Sequence, residues 1–193
     1  DYIGGDTVNF TDSATSGIVT IDDANVAPSA IVISNSTVAY AFGGSKAIAG
    51  GAALTKSGSA ALALNSPNTY SGATTLAGGT TTAVAGALGS GAVTFTGGSF
   101  RYAAGNTTDL SARIANSTAA IALDTNGNDV TFASALGATN TGGLVKNGAG
   151  TLTLASNGST YSGNIVINGG TVAATAGLLG ANPTTSALGN PAI

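Results

Sequence analysis

Apolar positions in this chain recur every second residue, in short bursts. "VNF" (8–10), "VTI" (19–21), "IVI" (31–33), "LAL" (62–64), "VTF" (93–95), "IAL" (121–123), "VTF" (130–132), "LTL" (152–154) and "IVI" (165–167) share one form. In each, residues one and three can face inward while a smaller or polar residue between them faces out. Gly-Gly, Asn-Gly, Gly-Ser, Ser-Gly and Asn-Thr pairs separate the bursts. These residues suit turns and positive φ. No dozen-residue stretch carries the i, i+3, i+4, i+7 stripe and cap of a helix. The pattern predicts an all-β chain of short strands.

An internal repeat narrows the architecture. Leu54, Lys56, Gly58, Leu62 and Leu64 recur downstream, at constant spacing, as Leu144, Lys146, Gly148, Leu152 and Leu154. After one inserted residue, Tyr70, Gly72, Gly78, Gly79 and Thr80 recur as Tyr161, Gly163, Gly169, Gly170 and Thr171. A coil with surface loops absorbs one extra turn residue without disturbing either flank, whereas each strand of a sandwich has one non-equivalent place. The expected fold is a right-handed, single-stranded parallel β-helix (a β-solenoid) over residues 1–193, with related units at about 52–90 and 142–181 and leader rungs at about 1–51 and 91–141. At roughly 20 residues per rung, the 193 residues make about nine rungs. At about 4.8 Å per rung these form a rod of roughly 45 Å.

Composition agrees with a narrow, repetitive interior. Hydrophobic residues are 43% of the chain but aromatics only 5%, with no Trp or Met. Charged residues are 7%, against about 25% in ordinary soluble domains. Ser, Thr and Asn must therefore supply the outward set, and neutral ladders avoid like-charge repulsion between stacked rungs. A net charge of −3 with scattered bases argues against nucleic-acid binding. No apolar run reaches the roughly 20 residues of a membrane-spanning helix. Zero Cys removes disulfides and thiolate metal sites. The chain opens at Asp1 without Met or a signal sequence, so the expectation is a mature form or a segment of something larger.

The segment "GGLVKNGAGTLTLASNGSTYSGNIVINGGTVAA" (142–174) resembles the autotransporter-associated β-strand repeat, also called the passenger-associated repeat. "AALTKSGSAALALNSPNTYSGATTLAGGT" (52–80) resembles it less strictly, because Ser59-Ala60 stands where the pattern has x-Gly. The resemblance implies a β-helix in the passenger part of large bacterial surface or secreted proteins, with the repeat serving as scaffold. Lys56, Gly58, Tyr70, Gly72, Gly78, Gly79, Lys146, Gly148, Gly150, Tyr161, Gly163, Gly169 and Gly170 form its structural frame.

Chemistry is sparse. With no His, Cys or Glu, the commonest general bases and nucleophile partners are missing, and no enzyme is expected. "DTNGND" (124–129) offers Asp124, Asn126, Asn128 and Asp129 as calcium ligands, but it lacks the bidentate Glu. A Gly-centred turn with Asx bonds is the expected reading, and no metal or cofactor is expected. Tyr70 and Tyr161 could stack on sugars; the expectation is a ring packed over a rung with its hydroxyl at the edge. Lys56 and Lys146 could pair with anionic lipopolysaccharide; the expectation is an outward charge that discourages edge pairing. Asn9, Asn35, Asn106, Asn116 and Asn157 begin Asn-x-Ser/Thr triplets.

The functional expectation is an extracellular or cell-surface stalk, adhesin shaft or filament block. Its expected partners are further coils, stacked head to tail, or a glycan or cell surface met by an Asn/Thr/Tyr face. The tail 181–193, with Pro183 and Pro191, reads as partial protection of the last edge.

Overall fold

A strand of three to five residues persists only when neighbours complete its backbone hydrogen bonds. Here the neighbour is the next coil. In the computed structural model, which describes residues 4–174, the strands pair in parallel. Thr7 lies beside Ala30, and Leu62 lies beside Thr81. The first of these steps is a few residues longer than the second, so the coils are unequal. The result is a β-solenoid of about eight turns, against about nine expected for the whole chain. The proline-bearing tail at 181–193 lies outside the described residues.

Each coil has three sides. The first side is a five-stranded sheet of β1 (Thr7–Thr11), β3 (Ala30–Ser34), β5 (Ala53–Ser57), β7 (Thr74–Leu76) and β9 (Val93–Phe95). The second is an eight-stranded sheet of β2 (Ile18–Thr20), β4 (Tyr40–Gly43), β6 (Leu62–Leu64), β8 (Thr80–Ala83), β10 (Ser99–Tyr102), β11 (Ile121–Asp124), β13 (Leu144–Asn147) and β15 (Ile165–Ile167). The third becomes a sheet only late, with β12 (Val130–Phe132), β14 (Thr151–Leu154) and β16 (Thr171–Ala174). Earlier it holds only a bridge between Val26 and Ile48. After β9 the first side shrinks to a bridge between Val93 and Ile114, entered through a 3₁₀ turn at Ser111–Arg113.

This change of sides rotates the repeat. β5 and β7 lie in the five-stranded sheet, while their counterparts β13 and β15 lie in the eight-stranded one. β6 and β8 lie in the eight-stranded sheet, and their counterparts β14 and β16 in the three-stranded one. The cause is chain length. Three coils take the chain from Leu54 through Thr74 and Val93 to Ile114, in nearly equal steps. The stretch from Ile114 to Leu144 is longer than any of those steps, by about one side of a coil. The copies are therefore four coils and one side apart. The repeat builds its local shape on whichever side it falls.

The interior departs from a pure aliphatic stack. Tyr40, Phe42, Tyr70, Phe95, Phe100, Tyr102 and Phe132 are all buried. A large residue is often placed over a small one: Phe100 lies beside Thr81 and Tyr102 beside Ala83 in the adjacent coil. That alternation lets coils approach at strand spacing without voids. Phe100 and Tyr102 meet edge-on at 4.8 Å between ring centroids, and Phe10 meets Tyr40 edge-on at 5.3 Å, as ring quadrupoles favour.

A charged stitch joins the first two coils. Exposed Asp12 accepts backbone N–H groups from Val38, Thr37 and Ser36, each at 2.9 Å. These donors hold its pKa at about 2, below the ordinary 3.8. Between those values the unfolded chain binds more protons than the folded one. The contribution of Asp12 is therefore complete above the ordinary value and is lost as pH falls through the folded one. In Asp12→Asn, the fall in Tm on acidification from about pH 4 to about pH 2 should be shallower than in the parent. Thermal melts across that range check it.

Candidate functional site

The two lysines of the repeat are the least expected feature of the interior. Alternation along β5 puts Leu54 and Lys56 on the same, inward side, and β13 does the same with Leu144 and Lys146. Both lysines are fully buried, with 0% exposure. This corrects the expectation of an outward charge at the edge and removes both from any contact with lipopolysaccharide.

Each ammonium is caged by three backbone carbonyls. Lys56 Nζ donates to Ser57 O at 2.7 Å, Gly58 O at 2.9 Å and Gly78 O of the next coil at 3.3 Å. Lys146 Nζ donates to Asn147 O at 2.9 Å, Gly148 O at 2.8 Å and Gly169 O of the next coil at 3.1 Å. Three N–H bonds meet three acceptors, so the donor inventory of an ammonium is satisfied. Burial pushes the pKa of both lysines down, and the charges of Asp12 for Lys56 and Asp124 for Lys146 offset this in part. In both copies the cage spans a strand–turn–strand corner and reaches the corner stacked on it. Its chemical effect is to pin the Gly-Gly turn of one coil to the lysine corner of the coil before.

The frame glycines make that cage possible. Gly58 and Gly148 sit at φ 75° and 71°, where a side chain is strained. A Cβ at Gly58 would collide with Asn35 O, and one at Gly148 with Asp124 Oδ1. Gly79 (φ 61°) and Gly170 (φ 67°) turn the chain directly into β8 and β16. Gly72 and Gly163 lie against backbone of the coil before, at Ala52 and Gly143. Gly150 is at φ 88°, while Ala60, its counterpart in the looser copy, is not among the positive-φ residues. The first copy thus accommodates the missing glycine by a different local backbone.

Tyr70 follows the expectation only in part. Its ring packs in the core, but its hydroxyl is buried too, 2.8 Å from Thr74 Oγ1. Burial raises its pKa, and the ring offers no platform to a sugar. Tyr161 is half-buried and packs against the core. In "DTNGND", Asn126 and Gly127 take positive φ at 51° and 83°, as a Gly-centred turn requires. Asp124 faces Arg101 at 3.4 Å and accepts the Asn126 N–H. Asp129 accepts the Thr151 N–H. Among the described residues, no three acidic side chains converge on a common point.

The alternation pattern missed a set of buried asparagines. Asn68 accepts Ile48 N–H and donates to Ala87 O, so it links three successive coils. Asn140 accepts Ser117 N–H and donates to Ile114 O. Asn106 donates to Ala83 O. Asn68 and Asn140 complete backbone groups where a side of the coil lacks a full strand partner, while Asn106 adds a second donor to a carbonyl at the end of β8. Asn35 and Asn106 open glycosylation triplets in sequence yet are buried at 0% and 4% exposure. No local signal separates these asparagines from surface ones.

Comparison with known proteins places this geometry. The passenger-associated-transport-repeat family matches residues 54–83 and 144–174, the two segments that hold the lysine cages. The adhesin BmaC autotransporter of Brucella suis biovar 1 (strain 1330) is 34% identical over 139 residues. That match covers 64% of this chain but 4% of the adhesin's length. No solved structure matches the chain. The two segments that match the passenger-associated-transport-repeat family are thus the two copies of the internal repeat, each with its caged lysine.

Proposed function

We propose that this chain is a stretch of the extracellular shaft of a bacterial surface adhesin, a stiff spacer that carries an active part away from the cell. The observation that carries the reading is the coil-to-coil continuity. Every described strand pairs in parallel with a strand of an adjacent coil, and the eight-stranded sheet runs through all the coils, so the structure can grow along its axis. Further coils, in a longer chain or in a second copy stacked head to tail, are the partners whose chemistry fits such a ladder. The similarity to an autotransporter adhesin supports a surface location, and the reading assigns the segment no catalytic step.

Stiffness follows from the bonding. Parallel backbone ladders run along the axis, and the lysine cages and asparagines close the corners between them. Eight coils at about 4.8 Å each give a rod of roughly 40 Å. Small-angle scattering and negative-stain electron microscopy of the purified protein should show rods of that length, or end-to-end multiples of it. Compact spheres, or chains that bend freely between coils, would defeat the spacer reading.

A further inference from the structure

Four Asn-Gly pairs lie in the described coils, at 126–127, 147–148, 157–158 and 168–169. An Asn followed by Gly is chemically prone to self-modification, because no Cβ shields the backbone nitrogen that attacks the side chain. The reaction needs an amide side chain free to rotate and a following N–H free to leave its partner. The structure distributes these freedoms unequally.

At Asn126 both requirements fail. Its Nδ2 donates to Tyr102 O at 3.0 Å, its Oδ1 accepts from Arg101 at 2.6 Å, and the Gly127 N–H is committed to Ala149 O at 2.9 Å. Asn147 and Asn168 hold each other, Nδ2 to Oδ1, at 2.8 Å. The neighbouring carbonyls of Asn147 and Gly169 are gripped by Lys146. Asn157 differs. It is exposed, and its side chain has no hydrogen-bond partner among the described residues. The Gly158 N–H reaches only Ser156 Oγ, at 3.4 Å.

We propose that Asn157-Gly158 is a spontaneous deamidation site, a modification that marks the age of the folded protein. The Gly158 nitrogen loses its proton to base and attacks Asn157 Cγ. The new N–Cγ bond closes a succinimide, and the Cγ–Nδ2 bond breaks to release ammonia. Water then opens the ring at either carbonyl, leaving aspartate or isoaspartate at position 157. The net change is one water consumed and one ammonia released, with no change in oxidation state. Beyond this loop the chain is pinned again, by Thr160 N–H and Ser159 Oγ on Leu136. The added charge and the extra backbone carbon of isoaspartate therefore stay outside the sheets.

The experiment incubates the folded full chain at mildly alkaline pH and maps isoaspartate and aspartate by peptide mass spectrometry. Conversion at Asn157 should exceed that at Asn126, Asn147 and Asn168 several-fold. In denaturant the four rates should converge. Gly158→Ala should suppress conversion at Asn157 and keep the fold, since an added Cβ would meet Ala135 Cβ at an ordinary 3.6 Å. Equal rates at the four pairs in the folded protein, or an inert Asn157, would overturn the proposal. Both readouts come from the parent protein, so they stand even if the variant does not fold.

Discussion

Replacing Lys146 with Met will destabilise the last described coils by about 3 kcal/mol. Methionine keeps most of the stem's volume but supplies no donor. The carbonyls of Gly148 and Gly169, which Lys146 satisfies at 2.8 and 3.1 Å, are then left without that partner around a fully buried side chain. An unsatisfied buried carbonyl costs roughly 1–3 kcal/mol, so two of them account for the figure. Arginine will not rescue the site. A Cβ at Gly170 would already stand 2.8 Å from Lys146 Nζ, so the cage has no room for a planar guanidinium. In a solenoid each coil is stabilised by its neighbours, and damage spreads mainly to them. Native-state hydrogen exchange should therefore accelerate around β13 to β16 and leave β1 to β5 unchanged. Lys56→Met should show the converse pattern. If either variant exchanges and melts like the parent, the cage does not hold its corner.

Phe100→Ala is expected to cost about 3–5 kcal/mol. Phe100 is 1% exposed and fills the centre of its coil, between Thr81 in the coil before and Leu123 in the coil after. Thr81 is too short to fill the space, and both neighbours are fixed by their own strands, so the cavity persists. The edge-on contact with Tyr102 at 4.8 Å is lost as well. A small surface cleft of about 20 Å³ borders Phe100, beside Ala87, Leu88 and Leu110, and it would open onto the new cavity. Phe100→Leu keeps most of the volume and should cost less than half as much. Urea denaturation of the two variants separates them. Equal stabilities would mean that this coil relaxes to close the gap.

The lysine cage shows how far the sequence could be read. Position 56 has the same parity as Leu54 in a strictly alternating strand, which places it inside. Charge argued for outside, because a lone ammonium in an apolar core is costly. The structure follows parity and meets the cost with carbonyls. One of those carbonyls comes from the turn that directly follows the strand, at Gly58, and another from the distant turn at Gly78. The second partner belongs to the next coil, so no local reading could supply it. The buried asparagines were missed for the same reason: their partners lie one coil away, and each looks like a surface residue in its own segment. The glycine frame was legible because positive φ is a property of a single residue. Gly58, Gly79, Gly148 and Gly170 all take it.

By itself, the sequence determined the local units. Period-two alternation set the strands, Gly and Asn pairs set the corners, and the long-range recurrence marked a coil built from repeated pieces. Only the tertiary structure decided where those pieces fall around the axis. Coil length is not constant: the step from Thr7 to Ala30 is longer than the step from Leu62 to Thr81. The angular position of any residue depends on the sum of all lengths before it. The long stretch between Ile114 and Leu144 adds a full side between the two repeats. That phase places Lys56 and Lys146 on different faces of the same shaft, although their surroundings, read locally, are alike.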